Sequence, residues 1–79
     1  MSDVQVRLTA CFAAVFPALS EGEILRADHY NVSQWDSIAS VTLFATVEEE
    51  FGLELELNDL PGLVSFKTIL TYLTSRVTA

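Results

Sequence analysis

Apolar residues along this chain change spacing several times, and each change marks an element. Val4, Leu8, Cys11, Phe12 and Val15 recur at three- and four-residue steps, which is one face of a helix. Ser2 and Gln5 stand at the spacing of a capping box. Phe16 precedes Pro17, and a residue before proline avoids helical geometry. Together they predict a first helix over about residues 3–16. Residues 17–36 then mix loop formers (Pro17, Ser20, Gly22, Asp28, Asn31 and Ser33) with apolar Leu19, Ile24, Leu25, Tyr30, Val32 and Trp35. A loop of roughly twenty residues is uncommon in a compact domain and is usually functional or disordered. The interleaved apolar residues argue against disorder. We expect a long loop pinned to the bundle by some of them, with room for a short helical turn near Glu21–Leu25.

The helical period returns at Ser37. Leu43, Phe44, Val47 and Phe51 form one face of a second long helix over about residues 37–51, and Ile38, Val41 and Ala45 form an apolar stripe beside it. Asp36 or Ser37 can cap its start, and Gly52 suits a left-handed end. Leu53, Leu55 and Leu57 then alternate with Glu54 and Glu56, a strand-like pattern with no second strand to pair with. An extended connector is the better reading. Asn58 or Asp59 can cap a short turn that tolerates Pro61 and stops near Gly62. Ser65 caps a last helix through Phe66, Ile69, Leu70, Leu73 and Val77. The pattern predicts one all-α domain: a small four-helix bundle of three main helices and one short helix, with a long loop between the first two helices.

Composition narrows the function. The 79 residues are 51% hydrophobic, enough for one small folded domain. Eleven acidic residues against four basic ones give a net charge of −7. That argues against nucleic acid and anionic membranes as partners, because both attract basic surfaces. A partner with a basic surface is the natural expectation, with simple solubility as the alternative. No apolar run reaches membrane-spanning length and no signal-peptide pattern opens the chain, so no membrane insertion is expected. Cys11 is the single cysteine, which excludes an internal disulfide and fits a reducing, cytoplasmic setting. It falls on the buried face of the first helix, where a free thiol behaves as a small apolar residue. His29 is the single histidine, in the long loop, and nothing places it near Ser37 or Cys11. Zinc ligands, a Gly-rich phosphate loop and a calcium-loop spacing are all missing, so no metal site and no enzymatic activity are expected.

One stretch points to chemistry. Asp36-Ser37 puts a hydroxyl where the loop meets a helix amino terminus. Free backbone N–H groups and the helix dipole favour a phosphate there. Asp36-Ser37-Ile38, followed by Val41, Leu43 and Glu48-Glu49-Glu50-Phe51-Gly52, resembles the acyl carrier protein family. The similarity extends to length, acidity, the long first loop and the short third helix. It implies that Ser37 accepts a 4'-phosphopantetheine arm from coenzyme A through a phosphopantetheinyl transferase. The arm's thiol would then carry thioester-bound acyl groups between acyl-loading and acyl-processing enzymes, in fatty acid or polyketide biosynthesis. Asp36 would serve recognition and metal positioning during attachment. Ile38, Val41 and Ala45, with Glu48 and Glu49, would form the docking surface of a monomer; core packing is the alternative for the apolar three. Trp35 closes the mouth of the bundle by packing, or contacts the arm.

Two readings share this pattern with an acyl cargo. One is an aminoacyl or peptidyl carrier on the same arm. The other is an unmodified acidic adaptor for a basic protein, with Ser37 only a helix cap. The chain also departs from the resemblance. Carriers of bulk fatty acid synthesis usually have acidic residues where Ala39 and Thr42 stand, and a small aliphatic residue in place of Trp35. A specialised carrier whose partners read apolar shape more than charge is therefore expected.

Overall fold

The computed structural model describes residues 3–77. It is all-helical, with helices α1 (Asp3–Val15), α2 (Glu21–Leu25), α3 (Ser37–Phe51) and α4 (Phe66–Val77), and a 3-10 turn at Leu60–Gly62. The described residues contain no strand beyond one bridge between Asp28 and Ser65. The expected bundle of three main helices and a short one is present. Its short α-helix is α2, inside the long loop, while the turn after Asp59 is only 3-10. The proposed cap Ser2 lies outside the described residues.

Local chemistry explains the boundaries. Helix α1 ends at Val15, although the Phe16 N–H still donates to the Phe12 carbonyl at 2.7 Å. Pro17 has no N–H to continue the ladder. In α2 the Ser20 hydroxyl accepts from the Glu23 N–H at 3.2 Å, and the Ser20 N–H donates to the Glu23 carboxylate at 2.8 Å. Five residues are too few to hold a helix without such a cap. Those bonds lower the Glu23 pKa, so their contribution is full at neutral pH and lost as pH falls through the lowered value. Helix α3 ends at Gly52, whose φ of 64° is the left-handed conformation that glycine adopts without a Cβ penalty. Ser65 caps α4 as expected, its hydroxyl accepting from the Thr68 N–H at 3.1 Å. Asp59 differs from expectation. Its side chain makes no capping bond and instead pairs with Arg76 across the fold.

The core lies where α1, the long loop, α3 and α4 meet. Leu8, Phe12, Leu43, Val47, Ile69 and Leu73 are fully buried. Ile24, Ala27, Val32 and Trp35 bring the loop into the same cluster, so the loop is pinned by its own apolar residues. Two backbone hydrogen bonds stitch it to the start of α4: His29 N–H to the Val64 carbonyl at 3.0 Å, and Phe66 N–H to the Ala27 carbonyl at 2.9 Å. No described polar or charged residue is buried. Leu53 is half-buried and Leu55 buried, but Leu57 points outward at 82% exposure. No helix among the described residues is long and apolar enough to cross a membrane.

Phe12 holds the centre. Its ring meets Trp35 at 5.4 Å and Phe66 at 5.2 Å, both edge to face, and Phe16 at 6.1 Å. We expect Phe12→Ala to lower the unfolding free energy by about 3–5 kcal/mol in urea titration. Ile38→Ala, at a 78% exposed site, should change it by less than about 0.5 kcal/mol.

Candidate functional site

Ser37 is the first residue of α3, and the way the chain reaches it settles what its hydroxyl is free to do. Trp35, two residues earlier, is buried against Phe12 and Phe16, and its indole N–H donates to the Ser40 hydroxyl at 2.8 Å. The chain therefore turns outward from a fixed point. Asp36 takes extended geometry as the N-cap, and its carboxylate accepts from the Ala39 N–H at 2.8 Å. Between the two candidate caps, the structure selects Asp36. The Ser37 side chain is exposed and its hydroxyl makes no hydrogen bond among the described residues. The backbone N–H groups of Ser37 and Ile38 also have no acceptor among them. Two unpaired amides at the positive end of a fifteen-residue helix favour an anion on the adjacent hydroxyl.

Ser37 opens onto a groove of about 550 Å³ between α3 and the connector to α4. Its mouth is polar, with His29, Asp36, Ser37 and Ser40. Its body is apolar, with Phe44, Leu57, Leu60, Pro61 and Leu63 among the lining residues. A second depression of about 260 Å³ shares Phe44, Leu57 and Leu60 and adds Val41, Ala45 and Glu48. Together they form one furrow along α3.

Nothing in the sequence places His29 near the serine; the fold brings both to one groove. His29 does not engage Ser37, however. Its ring Nδ1 lies 3.3 Å from the Val64 carbonyl, and its ring lies tilted against that of exposed Tyr30, 4.0 Å between centroids. With the Asp36 carboxylate turned to Ala39, no Ser-His-Asp hydrogen-bond chain exists among these residues.

The proposed docking residues separate into groups. Ile38 and Val41 are 78% and 69% exposed, and Ala45 is exposed beside them. Val41, Ala45 and Glu48 line the second depression. Glu49 faces a different crevice, shared with Ala10, Cys11 and Ala14 of α1. Glu48 also has a structural task, because its carboxylate accepts from the Leu55 N–H at 2.8 Å and holds the connector. Glu50 pairs with Arg7 at 2.8 Å, and Arg7 donates to the Glu50 carbonyl at 2.6 Å while its guanidinium lies over the Phe51 ring. One cation thus offsets much of the repulsion between the helix dipole and the three glutamates. Leu57 is the surface residue that sequence reasoning missed. Its alternation with Glu56 reads as an inward position, and only the turn beginning there aims it outward.

Comparison of the chain with protein-family models and with curated proteins finds no match.

Two outcomes follow from this geometry. Asp36→Ala removes the α3 cap and should cost about 1 kcal/mol of stability in denaturant titration. Ser37→Ala, which removes no hydrogen bond, should change it by less than about 0.5 kcal/mol. Cys11 supplies a pH dependence. Burial, and then the nearby Glu50 charge, push its thiol from 9.0 up to about 11. The unfolded chain's thiol ionises first, so this contribution is full below pH 9.0 and is lost as pH rises toward 11. Titrations across that window should show a steeper loss of stability in the wild type than in Cys11→Ala.

Proposed function

We propose that this chain is a carrier domain of the acyl carrier type, modified on Ser37 with 4'-phosphopantetheine. The observation behind the reading is the division of labour at the start of α3. Asp36 does the capping, which leaves the Ser37 hydroxyl exposed and unbonded beside two unpaired amides. A serine that served only as a helix cap would turn its oxygen back onto those amides. This weighs against the adaptor reading, in which Ser37 is a cap.

In the proposed reaction the Ser37 oxygen attacks the pyrophosphate of coenzyme A. A P–O bond forms to the arm, the nucleotide half leaves, and the transferase accepts the hydroxyl proton. The resulting diester keeps one negative charge at the α3 amino terminus, where the free Ser37 and Ile38 amides favour it. One Asp36 oxygen is bonded to Ala39; the other is open to the transferase and its metal. The chain then works as a carrier and not as an enzyme. Its cargo rides as a thioester, and the loading enzyme decides whether that cargo is an acyl, aminoacyl or peptidyl group.

The surface near Ser37 suggests the partners. From Ser37 through Val47 no residue is charged. Ala39 is packed against the core and the Thr42 hydroxyl donates back to the Ile38 carbonyl at 3.2 Å, so neither offers a charge to a basic partner. Ile38, Val41 and Leu57 dominate that side. Loading and processing enzymes with apolar contact surfaces fit it better than the strongly basic ones suited to an acidic helix. The setting we propose is a specialised biosynthetic pathway in the cytoplasm, with the carrier acting as a monomer.

The test is incubation with coenzyme A and a broad-specificity phosphopantetheinyl transferase, followed by intact mass. We expect one added arm in the wild type and none in Ser37→Ala. A thiol reagent should then label the arm's thiol quickly and buried Cys11 slowly. No added mass, under conditions that convert an established carrier, would sink the proposal.

A further inference from the structure

We propose that Arg26 and Lys67 form a cationic docking point for an acidic segment of a partner protein, next to the Ser37 groove. The docking point stands independently of the carrier reading; only its use by loading and processing enzymes rests on that reading.

The four cations of this chain fall into two pairs. Arg7 and Arg76 each contact two carboxylates and an aromatic ring. Arg26 and Lys67 are exposed, and their side chains make no hydrogen bond or ion pair among the described residues. Although distant in the chain, these two line one depression of about 260 Å³, with Leu25, Ala27, Asp28 and Ser65. The fold brings them together. The Phe66 N–H donates to the Ala27 carbonyl at 2.9 Å, and Asp28 forms a bridge with Ser65. Ile24, Ala27 and Phe66 are buried, so both cations extend from anchored backbone.

The nearest carboxylates are occupied elsewhere. Asp28 lines the depression, but its Oδ1 accepts from the Tyr30 and Asn31 N–H groups, both at 2.8 Å. Glu23 accepts from the Ser20 N–H at 2.8 Å. That bond is the main cause of its lowered pKa, and the Arg26 charge is the smallest. These acids serve backbone donors, while the two cations serve nothing within the fold.

Charge complementarity identifies the occupant. At a net charge of −7 most of this surface repels an acidic partner. Arg26 and Lys67 reverse the sign locally, around the aliphatic Leu25 and Ala27. A protein segment with two neighbouring carboxylates and an aliphatic side chain fits that depression. Nucleic acid fits poorly, because two cations neutralise too few phosphates against the remaining charge.

Position gives the site a use. His29 and Val64 line the Ser37 groove, and the adjoining Asp28 and Ser65 line the cationic depression. The contact offered by Ile38 and Val41 is apolar, and apolar attraction has no direction. A charged contact beside it fixes a partner's orientation and speeds its encounter. Arg26 and Lys67 are thus orienting residues for a partner that reaches Ser37.

NMR titration of the unmodified chain with a hexaglutamate peptide at low salt tests this without any arm attachment. Amide shifts should concentrate at Arg26, Ala27, Ser65, Lys67 and Thr68, and a hexaglutamine peptide should produce none. Arg26→Gln and Lys67→Gln should each weaken binding about two- to fivefold, and the double variant should lose the localised shifts. Salt at about 0.5 M should abolish them in the wild type. Both substitutions are on the surface, so the melting temperature should stay unchanged and a lost signal is not lost folding. No shifts at millimolar peptide, shifts centred elsewhere, or equal shifts in the double variant would overturn the proposal. Inorganic phosphate is the comparison ligand. If it bound these residues as tightly as the peptide, the site would be one for small anions and the docking role would fall.

Discussion

Packing of Trp35 into the aromatic cluster of Phe12, Phe16 and Phe66 is the interaction on which the candidate site depends. A domain of 79 residues has little core to spare, and each buried aromatic side chain removes about 150–250 Å² from water. Trp35 belongs to a long loop whose one helix is the five-residue α2. Its burial brings that loop into the core, and its N–H bond to Ser40 aligns the loop with the first turn of α3. Asp36 then falls at the N-cap and Ser37 one step beyond it, facing solvent. Orientation of the hydroxyl follows from core packing two residues away.

The same economy governs charge. Of the four basic residues, Arg7 and Arg76 each pair with two acidic groups and also cover an aromatic ring. Arg7 closes the end of α3, where Glu48, Glu49 and Glu50 meet the negative end of the dipole. Arg76 closes the connector. Both side chains act partly through their stems and flat faces, which is why lysine would not replace either one well. The acidity of this end of the molecule is therefore partly structural, and of the three glutamates Glu49 is the one whose carboxylate makes no hydrogen bond or ion pair among the described residues.

A functional consequence emerges from the contrast along α3. Its amino-terminal two-thirds is uncharged and presents Ile38 and Val41; its carboxyl end is acidic but engaged with α1 and the connector. The proposed attachment point lies at the uncharged end, beside a furrow walled on its outer side by Leu57 and Leu60 of the connector. An exposed serine beside an apolar approach surface is the arrangement on which the proposed carrier reading rests. It suits an acidic adaptor less well.

The sequence by itself determined the helices, because apolar spacing, Pro17, Gly52 and Ser65 act through local backbone chemistry. It also marked Ser37 and Asp36 together, through a short motif at a helix start, but left open which one caps. The folded structure shows which: with Trp35 packed in the core, Asp36 falls at the N-cap and its carboxylate accepts from the Ala39 N–H. It likewise brought His29 to the Ser37 groove, through a loop bridged to the start of α4, where spacing gave no sign of it. Glu48 as a bond to Leu55, Asp59 as a partner of Arg76 and Leu57 as a surface residue were equally hidden. Each depends on contacts between segments 7 to 17 residues apart in the chain, or on a turn whose direction the packing sets. Periodicity along a chain reports which face a residue shares, while the partner across a groove depends on how whole elements come together.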